Sequence, residues 1–246
     1  MQEATSIPTA FEPGDSKLKG IARAVVPAGL RKAVKERHRE FVFARAMRRF
    51  LAAPETSIEP GSRVLRDLIF GWGNEAWSAL DEYLVGCISA ALRVENDILE
   101  CGSGLSTLLV GAVAKRRGLR HIALEHHADW AERVQKELDR YGLDSVSLVS
   151  YPLKDYGDFS WYTVGHAALP ERFGMVICDG PPGTTKGGRY GLVPVMREHL
   201  KPGTVIFLDD TEREHEQGIA RRWADELGAS NEDIGDLKPY KRITIK

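Results

Sequence analysis

The sequence predicts an α/β protein with a doubly wound, mainly parallel sheet and an N-terminal helical extension. From residue 98 onward, short apolar runs typical of buried strands alternate with longer amphipathic stretches typical of helices. Polar or Gly-rich residues follow each apolar run, as expected where parallel strands end. With 246 residues, of which 43% are hydrophobic and 28% charged, the chain is long enough for one α/β domain and an extension.

Residues 1–62 are the predicted extension, and residues 63–246 the predicted main domain. Prolines and scattered polar residues predict poor order over 1–16. A basic amphipathic helix is predicted over 28–53, and a linker follows over 54–61. Such a helix usually packs on its own domain, but it can also contact nucleic acid or a membrane surface.

The elements of the main domain follow from periodicity and from turn residues. A helix is predicted over 75–92, after a Gly-Trp-Gly-Asn loop at 71–74, and a polar insertion is predicted over 154–172. A capping box of Thr211 and Glu214 is expected to start the last helix. The predicted strands are 98–102, 121–125, 145–149, 175–178, 204–208 and 242–245, and the other predicted helices are 105–117, 128–141, 190–200 and 212–227.

A Gly-rich turn joins the first strand of the sheet to its helix. Gly102 and Gly104 let the backbone approach a ligand, and the helix start offers unpaired N–H groups. Such turns bind dinucleotides or S-adenosylmethionine. Glu100 would repel a pyrophosphate, and Thr107 takes the place of the third fingerprint glycine. Both observations favour S-adenosylmethionine and leave an NAD(P)-binding oxidoreductase as the alternative.

Further candidate residues follow the other strands, at the edge where open α/β sheets bind ligands. Glu125 ends the second strand, where a carboxylate can accept both ribose hydroxyls, and His126 is next to it. Tyr151 or Leu153 could pack on an adenine ring. Asp179 follows the fourth strand, and the pair Asp209-Asp210 follows the fifth.

Four segments in this order resemble the class I S-adenosylmethionine-dependent methyltransferases: residues 99–107, 123–127, 176–183 and 200–210. The resemblance spans roughly 75–246 and implies a seven-stranded Rossmann-like sheet whose last strand is antiparallel. It implies S-adenosylmethionine as the cofactor, with Glu100 near the methionine amine and Glu125 on the ribose. The predicted cofactor-binding residues are Glu100, Cys101, Gly102, Ser103, Gly104, Ser106, Thr107, Glu125, His126, Tyr151 and Asp179.

Three carboxylates, those of Asp179, Asp209 and Asp210, are expected to converge at the same edge. They resemble the ligands of metal-dependent O-methyltransferases of the catechol and caffeoyl-CoA type, which implies Mg²⁺ here. Alternatively, Asp209 and Asp210 only end a strand and help to cap the next helix. Asp179 and Asp210 are the predicted catalytic residues, and without a metal Asp179 is the first candidate for a base.

The sequence therefore predicts methyl transfer to a small-molecule or glycan-like acceptor, with a hydroxyl as the nucleophile. The Gly-rich basic loop 183–190 could close over an anionic substrate. A non-catalytic Rossmann-like protein that docks through its basic helix is a further alternative. Three cysteines in apolar contexts, with no bilayer-length apolar run and no secretory h-region, predict a cytoplasmic protein without a zinc site or disulfide framework.

Overall fold

The computed structural model describes residues 27–59, 61–73, 81–236 and 238–246. The expected poor order of residues 1–16 and the first part of the helix predicted over 75–92 lie outside these ranges. The described α-helices are α1 (Ala28–Ala52), α2 (Arg63–Trp72), α3 (Asp81–Ala91), α4 (Leu105–Arg117), α5 (Ala128–Arg140), α6 (Leu192–Met196) and α7 (Glu214–Leu227). The strands are β1 (Ile98–Cys101), β2 (His121–Glu125), β3 (Val146–Ser150), β4 (Leu153–Asp155), β5 (Ser160–Tyr162), β6 (Phe173–Cys178), β7 (Leu200–Leu208), β8 (Ala229–Ile234) and β9 (Tyr240–Ile245).

Seven of these strands form one twisted sheet in the order β3-β2-β1-β6-β7-β9-β8. The first five in this order run parallel, while β9 is antiparallel to both β7 and β8. The order reverses between β1 and β6, so the carboxyl ends of these two strands flank the position where doubly wound folds bind ligands. The predicted fold is confirmed.

Helices cover both faces of the sheet, because successive strand residues point to opposite sides. Ile98 belongs to a core with α1 to α5, whereas Leu99 belongs to a second core with α6 and α7. All four residues of β1 are buried, which explains why this strand is a continuous apolar run broken only by Glu100.

The expected loop at 71–74 is wrong at its first two residues, because Gly71 and Trp72 complete α2. A Cβ on Gly71 would lie 2.6 Å from Cβ of Phe43, so this glycine permits close packing of α1 against α2. The helix ends instead at Gly73, in the left-handed conformation at φ 74°. Trp72 is buried, with its ring 5.7 Å from that of Phe43.

The second half of the chain differs from prediction in three further places. The insertion 154–172 contains the antiparallel pair β4–β5. The helix predicted over 190–200 is shorter and ends in a 3₁₀ turn, and β7 starts at Leu200. A bulge opposite Phe173 and Met175 accommodates the Pro202-Gly203 pair inside β7, which is why those residues do not end the strand. Strand β8 is polar because it is an edge strand that pairs only with β9.

The predicted capping box is also wrong. Helix α7 begins at Glu214 with Arg213 at the N-cap, and no side chain caps it. The buried Thr211 hydroxyl instead donates a hydrogen bond to the Pro239 carbonyl at 2.9 Å. Thr211 thus connects the end of β7 to the segment that precedes β9.

Candidate active site

The Gly-rich turn after β1 is pressed against the turn after β6. The Cys101 carbonyl accepts hydrogen bonds from the N–H groups of Asp179 (3.0 Å) and Gly180 (2.7 Å). Gly102 adopts φ +91°, and a Cβ there would lie 3.0 Å from the Gly180 nitrogen. A Cβ on Gly180 would lie 2.8 Å from the Gly102 Cα. Both glycines are therefore required for the contact between the two turns.

Gly104, two residues further on, is in a different environment. Its φ of 172° is ordinary extended backbone, and a Cβ there would have no heavy atom within 4 Å. It is the N-cap of α4, and its N–H donates to the Thr107 hydroxyl at 2.8 Å. The start of α4 thus borders open space, which suits a ligand that approaches a helix N-terminus.

Glu100 lies beneath α4 and does not face this space. Its carboxylate is 1% exposed and accepts a hydrogen bond from the Ser106 hydroxyl at 2.5 Å. The other oxygen lies 2.9 Å from Nε2 of the fully buried His121. Glu100 and Ser106 therefore support the turn from inside, and the contact with a methionine amine stays a prediction.

Glu125, at the end of β2, fastens the turn from the other side. One oxygen accepts hydrogen bonds from the N–H groups of His126 (2.7 Å) and His127 (2.9 Å). The other accepts from the Ser103 N–H (3.1 Å) and hydroxyl (2.9 Å). Sequence reasoning missed Trp130, whose indole N–H donates to the Ser103 carbonyl at 2.7 Å. The only feature of the sequence that could have indicated this role is an aromatic residue in the first turn of α5.

Two tyrosines lie close to the same edge. The Tyr151 N–H donates to the Glu125 carbonyl at 2.7 Å, which places Tyr151 directly beyond the predicted ribose carboxylate. Tyr162 was not predicted. A Cβ on Gly180 would lie 2.8 Å from its buried hydroxyl, and burial raises the pKa of Tyr162 well above its usual value. Its hydroxyl therefore stays protonated at the working pH of most enzymes.

Asp179, Asp209 and Asp210 converge as predicted, with one carboxylate oxygen from each lying within 4.8 Å of the others. Arg189, which was expected only as part of a basic loop, lies among them and is 2% exposed. Its Nη2 lies 3.1 Å from Oδ1 of Asp179 and 2.7 Å from Oδ2 of Asp210. Its Nη1 donates to the Asp209 carbonyl at 2.6 Å. The loop thus contributes a buried cation to the cluster.

Lys238 adds a second cation, which sequence reasoning also missed. Its Nζ lies 2.7 Å from Oδ1 of Asp210 and 3.1 Å from Oδ2 of Asp209. Arg213 reaches Asp210 from the solvent side, at 3.1 Å. Burial alone would raise the pKa of Asp210, but the Arg189 and Lys238 cations hold that pKa below its usual value. Asp210 is therefore an ionised carboxylate held by fixed charges, at the left-handed φ of 60°.

A divalent ion does not fit the cluster in this arrangement. Each of the three predicted ligands already contacts a cation of the chain through a carboxylate oxygen. Mg²⁺ would have to displace the Lys238 ammonium, and the Arg189 guanidinium keeps its charge at every accessible pH. The carboxylates are therefore neutralised by cations of the chain.

Asp179 differs from its two neighbours because its side chain keeps about a third of its surface, 32%, exposed. Even so, burial raises its pKa to about 8; Arg189 opposes this shift, and Asp209 and Asp210 add to it. A carboxyl group with a pKa close to the working pH is well suited to exchange protons with a substrate. A cavity of about 660 Å³ lies elsewhere, and no predicted site residue lines it.

Comparison with known proteins gives a family for the central part of the chain. A family described as a methyltransferase domain matches residues 99–211, a range that runs from β1 to the end of β7. Over this range, just under half of the chain, the protein is similar to methyltransferase domains. The open space at Gly104, beside the α4 N-terminus, lies within this range. The dinucleotide alternative gains no support.

Solved structures show the same fold. The chain resembles a Podospora anserina methyltransferase with bound S-adenosylhomocysteine, at 15% identity and a TM-score of 0.53, over 97% of this chain and 100% of that one. It also resembles an O-methyltransferase from Bacillus cereus in complex with S-adenosylhomocysteine, at 15% identity and a TM-score of 0.53, over 93% of this chain and 96% of that one. At these identities the likeness concerns the fold alone. No curated protein matches the chain in sequence.

The matched range of the methyltransferase domain contains the two glycine turns, Glu125 and Arg189, whereas Arg213 and Lys238 lie beyond it. The acidic cluster thus depends on residues outside the matched range. No helix in the described part of the chain has the length and apolar character needed to cross a membrane.

Proposed function

We propose that the protein transfers a methyl group from S-adenosylmethionine to a hydroxyl of a small-molecule or glycan-like acceptor, with Asp179 as the base and without a divalent ion. The observation that carries the proposal is the contact between the two glycine turns. It holds Asp179 next to the turn that borders the open space at Gly104. The hydrogen bonds to the Cys101 carbonyl therefore connect the base directly to the predicted cofactor site.

The bound cofactor supplies an electrophilic methyl group on a sulfonium. The chain has to hold it, align the acceptor and remove a proton. We assign the methionine end to the open space at Gly104 and to the first N–H groups of α4. Glu125 accepts hydrogen bonds from the ribose hydroxyls. These replace the hydrogen bond that the Ser103 hydroxyl donates to Glu125. His126 and Tyr151 both contact Glu125 through their N–H groups and are assigned to the same site.

Proton removal is assigned to Asp179. Its Oδ1 is fixed by Arg189, and among the described residues none donates a hydrogen bond to its Oδ2. That oxygen is available to an acceptor hydroxyl as the nucleophile attacks. Asp210 keeps Arg189 in place and thus acts on Asp179 indirectly. A carboxyl group with a pKa of about 8 is ionised at mildly alkaline pH, where it can accept the proton and release it to solvent afterwards.

The proposed location is the cytoplasm, because Cys87, Cys101 and Cys178 are all buried free thiols. The division at residues 62 and 63 also stays a proposal. Helix α1 packs through Phe43, Met47 and Phe50 against the same core as α3 and α4, so it is an integral part of the fold in that half of its length.

The test starts with calorimetric titration of the full-length protein with S-adenosylhomocysteine. An acceptor screen with labelled S-adenosylmethionine over alcohols, phenols, sugars and amines follows. We expect cofactor binding in the micromolar range and label transfer to a hydroxyl. The absence of cofactor binding in folded protein would refute the proposal, and transfer only to amines would refute the acceptor class. Asp144→Asn, far from the site on an exposed ion pair with Lys115, is the matched control for Asp179→Asn.

A further inference from the structure

The acidic cluster has the composition of a metal site but contains cations of the chain. Its three carboxylates come from the ends of the adjacent strands β6 and β7, and two of them, Asp209 and Asp210, are buried. Three carboxylates with oxygens within 4.8 Å of one another repel each other when they are ionised, and burial of Asp209 and Asp210 strengthens the repulsion. The fold can hold them together only if positive charge is placed between them.

That charge comes from two separate segments of the chain. Lys238 lies between β8 and β9, and its ammonium bridges Asp209 and Asp210 at 3.1 and 2.7 Å. Arg189 lies between β6 and α6, and its guanidinium bridges Asp179 and Asp210 at 3.1 and 2.7 Å. Each cation thus contacts two carboxylates, and together the two cations contact all three.

We propose that Lys238 and Arg189 stand in for a divalent ion, so that removal of the Lys238 ammonium converts the cluster into a metal-binding site. The two side chains together carry the charge of such an ion and hold the three aspartates in place. This inference rests on the proposed function only in its consequence, which is that methyl transfer proceeds without a metal. The balance of charge in the cluster is a property of the folded protein and does not depend on the activity.

The consequence for catalysis is a division of roles. A bound metal would contact the acceptor oxygen and increase its acidity. Lys238 and Arg189 are occupied by the aspartates, so they act as positioning residues, and the proton of the acceptor must go to Asp179. The cations keep Asp210 ionised, and Asp210 in turn fixes the guanidinium that contacts Asp179.

Lys238 is the residue to change, because its side chain is 20% exposed and can be shortened with less damage than the buried Arg189. The experiment measures Mn²⁺ binding to the full-length protein by electron paramagnetic resonance and thermal unfolding with and without Mn²⁺. The variants are Lys238→Ala, Lys238→Gln in case the first does not fold, and Lys238→Arg as the charge-preserving control. Asp210→Asn, made alone and in combination with Lys238→Ala, shows whether any bound Mn²⁺ lies in the cluster.

We expect the wild-type protein and Lys238→Arg to bind Mn²⁺ at least tenfold more weakly than Lys238→Ala or Lys238→Gln. Added Mn²⁺ should raise the unfolding temperature of the neutral variants alone, and Asp210→Asn should abolish the gain. Tight Mn²⁺ binding by the wild type that is lost in Asp210→Asn would overturn the proposal. So would folded neutral variants that gain no affinity. Because these readouts need no methyl transfer, they remain informative even if the proposed activity is wrong.

Discussion

Substitution of Gly104 by serine should weaken cofactor binding without lowering the stability of the fold. The position has φ 172°, which any residue adopts, and a Cβ there meets no protein atom within 4 Å. Serine is also a favoured N-cap residue, so the free energy of unfolding should change by no more than about 0.5 kcal/mol. The added atoms instead enter the space assigned to the methionine end of the cofactor.

The expected loss of affinity follows from the cost of overpacking. Extra atoms in a filled site cost about 1–3 kcal/mol, which corresponds to roughly 5- to 150-fold weaker binding. Calorimetric titration with S-adenosylhomocysteine measures this loss, and thermal unfolding without ligand measures stability. Unchanged affinity in Gly104→Ser would refute the assignment of the open space to the cofactor.

Gly102→Ser is the matched variant, with the same substitution two residues away. Gly102 adopts φ +91°, and its Cβ would lie 3.0 Å from the Gly180 nitrogen. Left-handed strain and the backbone contact should together lower stability by about 2 kcal/mol or more, and the unfolding temperature by about 4 °C or more. Equal stability of the two serine variants would contradict the described contact between the turns.

Two further predictions concern Asp179 and Trp130. Because the protonated carboxyl group cannot accept a proton, kcat should rise with pH and level off above the Asp179 pKa of about 8. A profile already flat from pH 6 would contradict this role. Asp179→Asn should lower kcat by about 100-fold or more, with S-adenosylhomocysteine affinity within a factor of three; equal losses in affinity and rate would instead indicate structural damage. Trp130→Phe removes the 2.7 Å hydrogen bond to the Ser103 carbonyl while keeping a ring. It should lower the unfolding temperature by about 2–4 °C and weaken cofactor binding several-fold, whereas an unchanged affinity would show that the turn is held without Trp130.

The central strands could be predicted from the sequence because each is a buried apolar run bounded by glycine or charge. Strand β2 was predicted to the residue, and β1 to within one residue. Strand β8 could not be found in this way, since an edge strand needs no apolar face. The start of α7 was misplaced because Thr211 bonds to Pro239, a partner that lies 28 residues further along the chain.

The candidate site was predictable wherever it lies at strand ends, and not where long-range contacts build it. Asp179 and Asp209 follow strands directly and Asp210 is the next residue, so the topology alone brings them together. Arg189 and Lys238 come from a loop and from the tail, and neither segment carries a signal for burial. The burial of Arg189 and Lys238 could be expected only indirectly, because carboxylates that converge in a buried site need cations to neutralise them. The inward orientation of Glu100 was readable, since strand alternation places it on the face of Ile98.

The contact between the glycine turns makes the cofactor site and the acidic cluster mechanically dependent on each other. One carbonyl, that of Cys101, accepts hydrogen bonds from both Asp179 and Gly180, so a shift of the first turn must move the base. Gly102→Ser should therefore reduce kcat as well as cofactor affinity, even when assayed at saturating cofactor below its unfolding temperature. Gly104→Ser leaves this connection intact and should recover nearly full kcat at saturation. If both variants recover equally, the turns are independent, and Asp179 is positioned by Arg189 alone.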